Sequence, residues 1–130
     1  MILDSSAIIA MADRTARDHP RIISAVTDSA RRPLIPAPVL GEVGYLLQVA
    51  FGPRAVDAFL GRVSSGAFEV VFEPADASVA RRMLAVRPSV GSTDALIAAC
   101  SIRTQLPVLT LDRRDFEPLS VEFGFQLAAY

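Results

Sequence analysis

Apolar residues fall into short uninterrupted runs and into stripes of helical spacing, and the two kinds of segment alternate along the chain. Met1-Ile2-Leu3 is an apolar run ending at Asp4, which predicts a buried strand, a turn carrying the acid, and a short helix over 7–11. Ile22, Ile23, Val26 and Ala30 repeat at helical spacing, and Arg31-Arg32-Pro33 ends that helix. Leu34-Ile35-Pro36 reads as a second short strand bounded by prolines. Pro38 suits the first turn of a helix running to about Ala50, where Gly52-Pro53 stops it. Residues 54–65 are amphipathic through Val56, Phe59, Leu60 and Val63, and residues 68–72 follow as a strand. The next helix, 75–86, turns Val79, Ala80, Met83 and Leu84 inward and Arg81, Arg82 and Arg87 outward, a solvated face or a phosphate-contacting one. A helix carrying Asp94, a strand over 108–111, a turn or short helix over 113–116 and a candidate edge strand over 121–123 complete the chain.

Strands separated by helices predict an α/β fold: a central parallel sheet of four to five short strands with helices on both faces. In such sheets ligands bind outside the carboxyl ends of the strands. Asp4 follows the first strand and Asp112 the last, so both point to that edge. Glu42 and Asp94 lie in opening turns of helices that begin near it. Val39, Val43, Leu46, Leu47 and Ala50 form one helical face, and Glu42 falls inside that apolar arc, between Val49 and Leu46. A carboxylate there must be paired with an arginine, protonated or bound to a metal. Asp94 admits two readings. With Ser92 as N-cap, an acid in the first turn suits the positive end of the helix dipole; otherwise it is a ligand collected with the other acids.

At 130 residues, 52% of them hydrophobic, and with mean hydropathy +0.39, the chain predicts one domain spanning 1–130 with a substantial core. No apolar stretch approaches the 18 residues of a membrane span, and Met-Ile-Leu-Asp is not a signal peptide, so a soluble cytoplasmic protein is expected. Cys100 is alone, lies within an apolar run, and is expected to be a small buried hydrophobe. His19 is the only histidine, which argues against a zinc site and leaves a Ser-His-Asp triad without support beyond it. All 13 basic residues are arginine, so Schiff-base and P-loop lysine chemistry are excluded. The net charge of −1 is silent about nucleic acid, since a local patch suffices. Carboxylates remain as the chemical resource. Four of them in one crevice need a counter-charge, and hard oxygen ligands point to Mg²⁺, with Mn²⁺ as a substitute, and to hydrolysis of a phosphodiester. Ser6 and Thr93, beside the acids, are candidates to orient a ligand or phosphate, or are helix caps.

Four segments together resemble the PIN-domain ribonucleases, and among them the VapC toxins of toxin–antitoxin pairs. They are Met1-Ile2-Leu3-Asp4-Ser5-Ser6-Ala7, Pro38-Val39-Leu40-Gly41-Glu42-Val43, Gly91-Ser92-Thr93-Asp94-Ala95-Leu96-Ile97-Ala98 and Val108-Leu109-Thr110-Leu111-Asp112-Arg113-Arg114-Asp115-Phe116. The resemblance implies a metal-dependent endoribonuclease, a homodimer, and a cognate VapB-type antitoxin encoded beside it. It carries the acidic quartet onto Asp4, Glu42, Asp94 and Asp112, and the small hydroxyl after the first acid onto Ser6. Asp115 matches an acid common in the last motif, leaving open whether it or Asp112 faces the metal. An aspartyl phosphatase would want an acid where Ser6 stands, and a structure-specific DNA nuclease of this fold is normally much longer. The alternative of another class is a catalytically silent module that only binds RNA or a protein.

Overall fold

The computed structural model describes residues 1–130. Strands β1 (Ile2–Leu3), β2 (Leu34–Pro36), β3 (Glu69–Val71) and β4 (Val108–Leu109) form one parallel sheet in the order β3-β2-β1-β4. Neighbouring residues of a strand point to opposite faces, yet Ile2 and Leu3 are both buried, as are Val108 and Leu109. Both faces of the sheet are therefore covered, which is what continuous apolar runs require. Ile2 sits opposite Leu34 on one side and Val108 on the other, so β1 is central. The chain builds outward from β1 through β2 to β3, then returns to lay β4 on the other side of β1. That reversal places the topological switch between β1 and β4, and it is at the carboxyl ends of strands flanking such a switch that open parallel sheets place their sites.

Seven helices connect and cover the strands: α1 (Ser5–Ala12), α2 (His19–Thr27), α3 (Ala37–Phe51), α4 (Pro53–Ser64), α5 (Ala75–Val86), α6 (Ser92–Thr104) and α7 (Arg113–Phe123). Gly52, with φ +84°, joins α3 directly to α4 in a conformation that a side chain would strain. The imidazole of His19 donates from Nδ1 to the Ala10 carbonyl at 2.8 Å and fastens α2 to α1. α6 is buried along Ala95 and from Ile97 through Ser101, and its small residues let α5 pack closely against it. Arg103 of α6 forks onto Asp76 of α5 at 2.7 and 2.9 Å, a tie that sequence reading did not foresee. Cys100 is buried, as expected. No helix is long and apolar enough to cross a membrane.

Three local expectations change. Residues 121–123 are the last turn of α7, not an edge strand. Phe116, Leu119 and Phe123 recur at helical spacing and turn inward, while Val121 is 85% exposed, so burial favours the helix despite Pro118 within it. The partner of β4 is instead the tail, where Leu127 makes an isolated parallel bridge to Val108. On α3 only Val39, Val43 and Leu47 are buried, and Leu46 and Ala50 face outward, so Glu42 stands at the margin of the apolar stripe. Gly91, not Ser92, is the N-cap of α6, and no side chain caps that helix.

Candidate active site

Asp4 leaves β1 at the switch point and becomes the N-cap of α1. Its Oδ1 accepts the Ser5 backbone N–H at 2.7 Å, and Oδ2 accepts the Ser6 hydroxyl at 2.6 Å and the Thr110 hydroxyl at 2.8 Å. The side chain is almost wholly buried, and these donors fix its rotamer. β4 ends at Leu109, one strand over, so Thr110 and Leu111 peel away from the sheet toward α1. Ser6 Oγ accepts the Leu111 N–H at 2.9 Å, and Thr110 Oγ1 accepts the Asp112 N–H at 2.9 Å. Two hydroxyls thus stitch the loop after β4 to the loop after β1. Asp112 follows as the N-cap of α7, exposed, with no capping hydrogen bond from its side chain. α7 is anchored by fully buried Phe116 and Leu119, each burial contributing about 2 kcal/mol.

Asp94 stands in the first turn of α6 and makes no hydrogen bond to a helix N–H. Burial is the first cause that pushes its carboxyl up to about 7, followed by the charges of Asp4, Glu42, Asp112 and Asp115 in that order. The five carboxylates are therefore one electrostatic cluster, in which Asp112 presses on Asp94 more than Asp115 does. Asp4, Asp94 and Asp112 each lie at or near the N-terminus of a helix, whose positive ends offset part of the repulsion. Glu42 pairs with no arginine: the ion pairs are Arg21–Asp18, Arg87–Glu122, Arg103–Asp76 and Arg113–Glu117. Its Oε2 is buried without a hydrogen-bond partner. Thr93 is half-buried and donates to none of the acids.

A buried carboxylate oxygen with no donor and a carboxyl that holds its proton near neutrality both mark a site short of positive charge. The donors are all hard oxygens, which suit Mg²⁺ or Mn²⁺ over softer metals. No three acidic, histidine or cysteine side chains already close around one point as a finished cage. Glu42 and Asp94, two carboxylates of the cluster without a hydrogen-bond donor, would be free to hold such a cation. Thr110 was missed by sequence reading; its position two residues before Asp112, just past an apolar strand, is the only signal for it.

The PIN-domain family profile matches residues 1–120. Ribonuclease VapC26 of Mycobacterium tuberculosis is 32% identical over 124 residues, covering 92% of this chain and 91% of that protein. VapC20 of the same organism, described as a toxin that cleaves the sarcin–ricin loop, superposes with TM-score 0.83 at 21% identity over 99% of this chain and 98% of that one. The VapBC2 complex of Rickettsia felis, bound to a DNA fragment from its promoter, gives TM-score 0.74 at 16% identity over 99% and 97%. A toxin–antitoxin complex from Klebsiella pneumoniae gives 0.68 at 16% identity over 88% of each chain. At these identities the structures establish the shared fold, and the matched profile together with the VapC26 relative establishes membership: the chain belongs to the PIN-domain family, among its VapC-type members.

Proposed function

We propose that this chain is a Mg²⁺- or Mn²⁺-dependent endoribonuclease acting as the toxin of a type II toxin–antitoxin pair. The observation that supports it most is the charge-starved cluster: Asp94 pushed up to about 7 beside a buried Glu42 oxygen that has no partner. Asp4, Glu42, Asp94 and Asp112 are the proposed ligands and catalytic residues, with Asp115 in a supporting role. A bound divalent cation would supply the charge that activates a water and stabilises the leaving oxygen of an in-line displacement. Ser6 and Thr110 hold Asp4 in place by donating to Oδ2, while the Ser5 N–H and hydroxyl donate to Oδ1. Glu42 offers the unused lone pairs of Oε2.

Two surfaces support the proposed partners. A groove of about 250 Å³ between α1, α3 and α4 has an apolar floor of Ile8, Met11, Leu47 and Phe59, with Arg14 and Arg62 among its lining residues. It fits an apolar segment bearing an acidic residue, which we assign to the VapB-type antitoxin, in keeping with the toxin–antitoxin complexes that share the fold. Along α3, Tyr45, Leu46 and Val49 continue the stripe that begins at Glu42, and all three are exposed. We assign that face to a second copy of this chain.

Incubating the purified chain with total RNA tests the reading. Cleavage in Mg²⁺ that chelator stops, and that Asp94→Asn abolishes without unfolding, is the expected result. Intact RNA under all conditions would favour the silent binding module instead.

A further inference from the structure

Beside Asp94 lies a cleft of about 210 Å³ whose lining includes Arg87, Ser89, Gly91, Arg114 and Asp115. Its volume is of the order of one sugar–phosphate unit. The two arginines in it differ. Arg87, at the C-terminal cap of α5, is ion-paired to Glu122 of α7, and both side chains are partly exposed. Arg114, in the first turn of α7, is exposed and forms no ion pair or hydrogen bond. Neither arginine touches the hydroxyl network on Asp4, and nothing in the fold requires a free guanidinium beside so many carboxylates.

A polyanion approaching this cluster is repelled by the acids, and a cation bound to them neutralises only the phosphate it touches. The neighbouring phosphate needs its own positive partner. A guanidinium presents a fork of N–H donors that matches phosphate oxygens two at a time. Glu122 already presents a carboxylate oxygen to Arg87, an oxyanion of the kind a phosphate would replace. An exposed ion pair contributes little stability, so a phosphate can displace Glu122 readily.

We propose that Arg114 and Arg87 hold a phosphate of single-stranded RNA adjacent to the scissile one, and that Glu122 is the carboxylate this phosphate displaces from Arg87. The inference rests on the ribonuclease reading for its ligand and adds the residues that seat it. Glu122 then tunes affinity by competing with the substrate.

The test is binding rather than turnover. A fluorescein-labelled single-stranded RNA 12-mer of mixed sequence is titrated, without divalent metal, against the full chain carrying Asp94→Asn, and anisotropy is followed over a range of salt. Adding Arg114→Gln should weaken binding about five- to tenfold at low salt and flatten the log–log salt dependence by about 0.7, the share of one phosphate contact on a single strand. Arg114→Lys should restore most of the affinity. Glu122→Gln should tighten binding about two- to fivefold, a gain that disappears when Arg87→Gln is added. Melting curves should match the parent chain throughout. No binding, or a salt slope unchanged by both arginine substitutions, overturns the proposal. So does weakening by Glu122→Gln, which would make the pair a tie between α5 and α7 only. If binding shifts as expected but the unsubstituted chain leaves RNA intact in Mg²⁺, the ribonuclease reading fails while the phosphate seat stands. If RNA is cleaved and the arginine variants keep the same KM, the seat fails alone.

Discussion

Thr110 and Asp4, 106 positions apart in the chain, are joined by a hydrogen bond of 2.8 Å that crosses from the end of β4 to the end of β1. Thr110 is buried and spends its hydroxyl twice, donating to the Asp4 carboxylate and accepting the Asp112 N–H. One side chain thus sets the relative position of two acids at the switch point. Thr110→Val keeps the shape and removes the hydroxyl, so that Asp4 loses its tie to the loop after β4 while the Ser5 and Ser6 donors remain. We expect kcat for RNA cleavage to fall about 10- to 100-fold with little change in KM, and Thr110→Ser to recover most of it. Stability should drop by about 1–2 kcal/mol. Unchanged kcat in steady-state kinetics would remove Thr110 from the site.

Much of this site was legible in the sequence because its acids sit at ends of apolar runs. Asp4 terminates Met1-Ile2-Leu3, and Asp112 comes just after Val108-Leu109, so a parallel sheet must present both at one edge. Glu42 was legible for a different reason, as a charge within an apolar helical arc, although only the structure shows that no arginine pairs with it. Thr110 was not, since a threonine near a strand end is ordinarily a β-former and its partner lies at the other end of the chain. The last turn of α7 was misread because Val121-Glu122-Phe123 alternates as a strand does and follows a proline. Only burial of Phe116, Leu119 and Phe123 on one side reveals the helix. The Asp76–Arg103 tie is likewise a tertiary fact, set by how α5 lies on α6.

The groove between α1, α3 and α4 predicts where an antitoxin can be blocked without harming chemistry. Ala58 lines it on α4 and is exposed, so Ala58→Asp should fold normally. A carboxylate placed over an apolar floor adds a desolvation cost to any apolar segment entering there. Co-expressed VapB-type antitoxin should no longer co-purify with this variant, while metal-dependent cleavage of RNA persists. Retention of the antitoxin at wild-type yield would place its seat elsewhere.

The exposed stripe on α3 predicts a dimer. Tyr45 and Val49, one helical turn apart on α3, are each 69% exposed, with Leu46 exposed between them, an apolar stripe suited to a second copy. Light scattering at micromolar concentration should give twice the chain mass. Tyr45→Asp with Val49→Asp should give the monomer with an unchanged far-ultraviolet circular dichroism spectrum. A monomeric wild-type chain would leave this face without the partner assigned to it.

The proposal that these carboxylates share a cation is tested most directly by thermal melts of the wild-type chain and Asp94→Asn across pH, each with and without Mg²⁺. Burial and then the charges of Asp4, Glu42, Asp112 and Asp115 raise the Asp94 carboxyl from 3.8 to about 7. Between those values the folded chain holds a proton that the unfolded chain has lost, so stability falls as pH rises from about 4 through about 7. The loss should be about 2 kcal/mol, after a discount for solvent screening at a half-buried group, or about 7 °C in melting temperature. Mg²⁺ should restore it in a concentration-dependent way at pH 8. Asp94→Asn should melt higher than wild type there without metal and gain little when Mg²⁺ is added. If instead Asn at position 94 lowers the melting temperature at pH 8 and Mg²⁺ leaves the wild-type melt unmoved, the carboxylates do not share a cation and Asp94 serves only the first turn of α6.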